Sequence, residues 1–282
     1  MSEIGKELIS MYKSIESKIP FKPSIGIVLG SGLGGLLDNV KIEGKIPYSD
    51  IPNFPKSTAP DHRGQFLFIH IGNIPVVVMQ GRVHYYEGYD IKEVVMPERL
   101  MAVMGVKTVI LTNAAGGMYD NMEVGDIMCI TDHIATFVPS PVRGENIDEF
   151  GPRFPDMSDV YSKTLRKKAH IIAKKIGLTL KDGIYVQLSG PQFETPSEIK
   201  FYKNMGWSAC GMSTAVEAIA LNHFGVKVLG FSMITNFAAG LKEEKLDGTD
   251  VVDVANRKGD IFTKFIIELV KDIGENYESF SI

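Results

Sequence analysis

The densest chemistry in the chain lies between Met79 and Asp90, in MQGRVHYYEGYD. Arg82, His84, Tyr85 and Tyr86 fall within five residues there. A guanidinium fork, an imidazole and two phenols suit an anion held beside a flat or sugar-like ligand. Gly81 and Gly88 bracket the group, where tight turns and close backbone approach are easiest. Further polar residues stand at the ends of other apolar runs. Gly30, Gly32 and Gly35 satisfy G-x-G-x-x-G around Ser31. Such a loop offers backbone N–H groups, and here a hydroxyl, to an anion. The same spacing opens dinucleotide-binding units, which want a second strand ending in an acid about 20 residues on. Here that region reads KIEGKIPYSDIPNFP, with Asp50 in a proline-broken segment.

Five more places complete the set. Asp61-His62-Arg63-Gly64 puts an imidazole in a loop. Asn113-Ala114-Ala115-Gly116-Gly117 reads as a strand-end loop whose backbone can approach a ligand, with Asn113 orienting it or capping the next turn. In Gly190-Pro191-Gln192-Phe193-Glu194-Thr195, Phe193 can stack on a flat ligand while Glu194 accepts its N–H groups. The plainer reading makes Glu194 a first-turn helix acid. In Gly211-Met212-Ser213-Thr214, the two hydroxyls either cap the next helix or reach an anion at its N-terminus. Asn236 closes a long apolar run, and its amide donates and accepts in one plane, as a nucleobase edge requires. Ser31, His62, Arg82, His84 and Ser213 thus form an anion set, and Phe193, Glu194 and Asn236 an aromatic–acid–amide set. Together they describe a pocket for a phosphate ion next to a heterocycle. GxSxG, HExxH and the Walker GxxxxGK[ST] pattern are absent from the sequence.

The elements that must position these residues follow from periodicity. Apolar runs at 24–30, 107–112, 126–131, 184–189 and 226–235 read as buried strands, and 66–72 with 74–80 as a hairpin around Gly72-Asn73. Residues 91–105, 158–176, 213–224 and 250–275 read as helices, and Pro196 opens another. The proline-rich 45–65 and 138–157 read as irregular. Alternating strands and helices mean an α/β fold with a mixed or parallel sheet covered on both faces. With 282 residues and no linker, charge block or repeat, a single domain over 1–282 is expected. Net charge is −4, which gives no basic footprint for nucleic acid. No run reaches the about 18 apolar residues of a membrane span. The mixed acids and lysines of MSEIGKELISMYKSIESKIP match neither a signal nor a transit peptide. Cys129 and Cys210, without metal-ligand spacing, suggest buried thiols in a reducing compartment. A cytoplasmic protein is expected.

Several of these stretches, in this order, resemble the trimeric purine nucleoside phosphorylases: GSGLG (30–34), MQGRVHYYEGY (79–89), TNAAGG (112–117), VGDIM (124–128), FPDMSDVY (154–161), GPQFET (190–195), GMST (211–214) and ITN (234–236). The resemblance implies a single α/β domain with a mixed β-sheet and distorted barrel flanked by helices. It implies cleavage of inosine, guanosine and their 2′-deoxy forms by phosphate, giving the free base and the α-sugar 1-phosphate. Ser31, Arg82, His84 and Ser213 would then be phosphate ligands, with His62 on a mobile loop and the Ala114 backbone completing the site. Tyr86 and Met212 would meet the ribose. Phe154 would close the sugar site of a neighbouring subunit in a homotrimer. Phe193, Glu194 and Asn236 would hold the base. No metal or organic cofactor is implied, since phosphate is a co-substrate.

In one place the chain departs from that pattern. The family commonly has a histidine fourteen residues after the base-recognising Asn, where it meets the ribose 5′-hydroxyl; that offset here falls on Asp250. Asp250 either accepts from the 5′-hydroxyl or is simply an N-terminal helix residue. Three other readings stay open. A 5′-methylthioadenosine phosphorylase would be expected to carry Asp where Asn236 stands. A nicotinamide-dependent oxidoreductase would rest on the glycine loop alone. A non-catalytic nucleoside- or phosphate-binding protein would bind without turnover.

Overall fold

The computed structural model describes residues 1–30, 34–38, 40–59, 63–242 and 248–275, with backbone only for 248–258. Its elements in chain order are α1 (Glu3–Ile15), β1 (Ile25–Leu29), β2 (Ile42–Pro47), β3 (Gln65–Ile71), β4 (Ile74–Gln80), α2 (Ile91–Val94) and α3 (Met96–Val103). Then come β5 (Thr108–Gly117), β6 (Ile127–Ile134), α4 (Lys163–Lys175), β7 (Leu180–Gln187), α5 (Pro196–Asn204), β8 (Ala209–Gly211), α6 (Ala215–His223), β9 (Lys227–Phe237) and α7 (Gly248–Glu275). The nine strands run in the order β2-β3-β4-β1-β5-β8-β7-β6-β9, and β9 returns to pair with β5. That last pairing closes β5, β8, β7, β6 and β9 into a barrel, with β1 to β4 as an extension of one wall. Both parallel and antiparallel neighbours occur, as expected of a mixed sheet.

Strand alternation splits the core in two. Along β1, Ile25, Ile27 and Leu29 join one apolar cluster while Val28 joins the other. Residues Leu229, Phe231 and Met233 of β9 face the first cluster, where Phe265, Leu269 and Val270 of α7 and Leu165 and Ala169 of α4 cover them. Helices α1, α3 and α6 cover the opposite side through Leu8, Leu100 and Leu221. Apolar residues on both faces of these strands explain why they read as continuous runs.

Several boundaries differ from the sequence reading. The stretch 45–65 is not wholly irregular, because Ile42–Pro47 pairs antiparallel with β3. The helix expected at 91–105 is broken at Val95, just before Pro97 of α3. The helix expected from 158 begins at Lys163, capped by Ser162. The short β8 had no sequence signal at all. Asn113 to Gly117 do not form a loop: β5 continues through them. Likewise β9 runs past Asn236 to Phe237.

Candidate active site

Strand β5 changes partners half-way along one edge. It registers with β1 through Thr108–Leu111 and with β8 through Gly116–Gly117. Between the two, Asn113, Ala114 and Ala115 line a cavity of about 340 Å3, a size that suits a small molecule. Of the residues expected at the phosphate, Arg82, His84, Ala114 and Ser213 all line it. Tyr86 and Met212 from the expected sugar group do so as well, and Phe193, Glu194 and Asn236 complete it. Ser31 and His62 lie outside the described residues. The backbone of Asp250 belongs to α7, but its side chain is not described. Phe154 does not line the cavity of its own chain. It is 86% exposed, with the Arg153 guanidinium 5.3 Å from its ring centroid.

The side lined by Arg82 and His84 is built on buried charge. Arg82 follows Gly81 at the end of β4. Its Nε and Nη2 donate to Oε1 and Oε2 of Glu217 on α6, at 2.9 and 3.1 Å. Its Nη1 donates to the Thr112 carbonyl at 2.7 Å. This two-point fork fixes the guanidinium plane. His84 is held by Glu87, whose Oε1 meets the His84 backbone N–H at 2.7 Å and Nδ1 at 3.0 Å. The imidazole stacks on Tyr86 with centroids 4.7 Å apart. Burial works against the Glu87 charge, but hydrogen bonds from His84 and Thr58 outweigh it and hold the carboxyl down at about 2. An ionised Glu87 therefore orients the imidazole at any ordinary pH.

Of the two readings left open for Ser213 and Thr214, a side-chain cap on α6 is not what the structure shows. Thr214 is the N-cap residue but makes no side-chain cap bond, and its backbone has φ 82° and ψ −50°. A β-branched residue there stores strain on the order of 1–3 kcal/mol, and such strain concentrates at ligand sites. Its hydroxyl is engaged instead by Nδ2 of Asn113 at 2.8 Å and by Ser213 Oγ at 3.1 Å. The Val216 N–H in the first turn of α6 goes to Gln187 Oε1 at 3.0 Å.

On the side lined by Glu194 and Asn236 a β-bulge does the aiming. Ala115 registers with Ile234, but Gly116 registers with Asn236, so Thr235 is the extra residue. A bulge rotates the chain that follows it, and both Thr235 and Asn236 reach the cavity. Asn236 Oδ1 accepts from Thr235 Oγ1 at 3.0 Å and Nδ2 donates to the Phe237 carbonyl at 3.0 Å. The amide has a second N–H for a ligand. Gly116 makes room for it, since a Cβ there would lie 3.3 Å from Asn236 Nδ2. Burial raises the pKa of Glu194, against hydrogen bonds from its own backbone and the Cys210 thiol. Burial and the nearby Glu194 push the Cys210 thiol well up, so it stays a neutral S–H donor.

Elsewhere among the described residues, Cys129, His170 and Asp182 bring ligand-type atoms within 4.8 Å of one another. His170 Nε2 and Asp182 Oδ1 satisfy each other at 2.8 Å, and burial pushes the Cys129 thiol up to about 12. The glycine loop is followed by a single turn, Gly34–Leu37, and then by β2, which pairs antiparallel at the sheet edge. A dinucleotide fingerprint wants a helix and a parallel strand there, so the nicotinamide reading loses its support.

The family model of the phosphorylase superfamily matches residues 24–271. Purine nucleoside phosphorylase 1 of Geobacillus stearothermophilus is 45% identical over 93% of this chain and 96% of its own length. The chain belongs to the purine nucleoside phosphorylase family. The bovine purine nucleoside phosphorylase is 46% identical over 76% of each chain. Among solved structures, Schistosoma mansoni purine nucleoside phosphorylase with adenosine aligns at a TM-score of 0.90 and 34% identity, over 95% of this chain and 97% of that one. The same organism's enzyme with inosine aligns at 0.88 and 33%, over 94% and 96%.

Within this phosphorylase cleft, sequence reasoning missed four contributors. Glu217 was visible only as an acid inside the apolar AVEAIAL, which is itself a sign of a buried charge seeking a partner. Thr112, whose carbonyl accepts from Arg82, and Tyr185, whose hydroxyl accepts from the Ser213 N–H at 3.4 Å, belong to strands and give no signal of these roles. Thr235 carries no signal, because a bulge is a property of two strands rather than one.

Proposed function

We propose that this chain is a purine nucleoside phosphorylase. It cleaves inosine, guanosine and their 2′-deoxy forms with inorganic phosphate to the free purine and α-(deoxy)ribose 1-phosphate, and serves purine salvage. One observation carries the reading: a single cavity of about 340 Å3 has Arg82, His84 and Ser213 on its walls together with Phe193, Glu194 and Asn236. An anion and a heterocycle fit in it side by side.

The chemistry follows from that juxtaposition. As the glycosidic bond breaks, positive charge grows on the sugar. A phosphate dianion held by Arg82, His84, Ser213 and the Ala114 backbone stabilises that charge and then captures the anomeric carbon. Ser31 and His62 join the phosphate in this reading. Positioning and preorganised electrostatics supply the rate. The leaving purine gains electron density at its imidazole ring, where the second Asn236 N–H meets N7. Phe193 stacks on the base and an ionised Glu194 accepts the N1–H of a 6-oxopurine. Adenine has a lone pair at N1, and facing it to an unpaired carboxylate costs about 1–3 kcal/mol. Tyr86 and Met212 flank the sugar, and Asp250 accepts from its 5′-hydroxyl. No metal or organic cofactor enters this scheme. Asn rather than Asp at position 236 argues against the methylthioadenosine alternative.

The reading extends to a cytoplasmic homotrimer, in which Phe154 completes the neighbouring sugar site. Its 86% exposure, with the Arg153 guanidinium against the ring, supports this. Phe137 and Phe201, 42% and 54% exposed, edge an aromatic cluster with Tyr202 and Trp207 that suits a subunit contact. No described helix is long and apolar enough to cross a membrane.

The test is inosine turnover with and without phosphate, following hypoxanthine and ribose 1-phosphate. Phosphate-dependent release of both products is expected. Hypoxanthine released with free ribose, independent of phosphate, would refute the anion-site reading.

A further inference from the structure

Beside Ser213 stands a strained residue that the scheme above does not use. Thr214 is 0% exposed, with φ 82° and ψ −50°. Glycine takes such a backbone without strain, whereas a β-branched residue is an outlier there. What threonine adds is a hydroxyl, and two neighbours meet it. Asn113 Nδ2 lies 2.8 Å from Thr214 Oγ1, and Ser213 Oγ lies 3.1 Å from it. The chemistry of these groups sets the direction of each bond. An amide nitrogen only donates, so Thr214 Oγ1 accepts from Asn113. The Thr214 proton then needs an acceptor, because a buried polar hydrogen left bare is costly. Among the described residues, Ser213 Oγ is the one acceptor within its reach. Having accepted, Ser213 keeps its own proton for the cavity it lines.

We propose that Thr214 is a positioning residue in a one-way hydrogen-bond chain, from Asn113 Nδ2–H to Thr214 Oγ1–H to Ser213 Oγ, which aims the Ser213 proton at the bound phosphate. This rests on the reading of Ser213 as a phosphate ligand. The oxygens of a phosphate dianion act chiefly as acceptors, and a hydroxyl has a single proton to give them. The Ser213 backbone N–H is already taken by the Tyr185 hydroxyl at 3.4 Å. The side-chain O–H is therefore the donor that Ser213 has left for a ligand.

The reverse chain would have Ser213 donate to Thr214 and Thr214 donate to Asn113. A Ser213 lone pair would then face the anion. That chain needs the Asn113 amide turned over, which puts its NH2 where Oδ1 now stands. Oδ1 is buried there with no hydrogen-bond partner among the described residues. Two N–H groups would be left bare in place of one oxygen, and buried N–H groups go unpaired more rarely than oxygens do. The forward chain leaves every proton of the two hydroxyls with a use. It also gives a reason for threonine at a backbone position that suits glycine.

Two substitutions separate the hydroxyl from the packing. T214V keeps the branched shape and loses the hydroxyl, whereas T214S keeps the hydroxyl. T214V is expected to raise the phosphate KM about tenfold, the loss of one hydrogen bond to a charged group, with the inosine KM little changed. T214S should restore the phosphate KM. A merely structural defect would move both KM values. S213A should raise the phosphate KM as well, and S213A/T214V no further, because Thr214 acts through the Ser213 proton. A wild-type phosphate KM in T214V, or effects that multiply in the double variant, would overturn the proposal. Neutron diffraction from deuterated wild-type crystals stands even if T214V does not fold. The Thr214 deuteron is expected on the line to Ser213 Oγ; a Ser213 deuteron on that line would overturn the chain. Phosphate-independent cleavage by wild type would instead refute the phosphorylase reading, and the neutron map would still decide the direction of the chain.

Discussion

At the scale of single residues, the cleft divides its labour between groups that are held and groups that hold them. Arg82 is fixed by Glu217 and Thr112, and His84 by Glu87. Asn236 is steadied at both ends of its amide by Thr235 and Phe237. A ligand meeting these groups therefore pays little to order them. Asn236→Ala removes the one N–H assigned to the leaving purine. Steady-state kinetics should show kcat reduced by about 100-fold or more, in line with the loss of a preorganised donor, while circular dichroism and the melting temperature stay near wild type. Near-normal turnover would take Asn236 out of the reaction. Glu194→Ala should instead cut kcat/KM for inosine and guanosine and narrow the gap to adenosine. Equal kinetics for all three in wild type and variant would refute base recognition by Glu194.

At the scale of elements, the same residues depend on local devices that lie outside the cleft. Helix α5 opens with a capping box: Thr195 Oγ1 accepts from the Glu198 N–H at 3.3 Å, and Glu198 Oε2 accepts from the Thr195 N–H at 2.7 Å. Pro196 stands at its first position. This device anchors the segment carrying Phe193 and Glu194. Thr195→Ala should lower stability by about 1 kcal/mol and raise the nucleoside KM more than the phosphate KM; a rise confined to phosphate would contradict the anchoring role. In the barrel wall, β6 carries His133, whose Nδ1 meets the Tyr161 hydroxyl at 3.0 Å. Burial lowers its pKa from 6.5 to about 4, against the opposing charge of Asp132. Between those values the unfolded chain binds a proton that the folded one refuses, so this group makes the protein less stable as pH falls from 6.5 to about 4. His133→Gln keeps a partner for Tyr161 and should flatten that slope in urea titrations across the same pH window. An unchanged slope would assign the acid sensitivity elsewhere.

At the scale of the whole molecule, the closed barrel and its extension meet at β5, and the cleft lies at that junction. The proposed trimer is tested at this level by native mass and by Phe154→Ala. A trimeric variant with a raised nucleoside KM and an unaltered phosphate KM is expected, because Phe154 lies outside its own cavity. A monomer in solution would remove the shared-site reading. Much of this was legible in the sequence. Covered strands read as apolar runs because both faces are buried, and the polar residues grouped at their ends because a sheet offers ligands little else. The GPQFET and GMST stretches carry their chemistry in residue types alone. Other features depended on tertiary structure. The 112–117 stretch looked like a loop because small residues do not distinguish a loop from a strand pressed against a neighbour. Whether Asn236 ends a strand or sits beyond a bulge depends on the register of β9 against β5, which no single strand encodes. Pairing of Arg82 with Glu217 joins positions 135 residues apart. Sequence by itself determined which groups could bind an anion and a base; only the packing of α6 against the barrel decided how Arg82 is held among them.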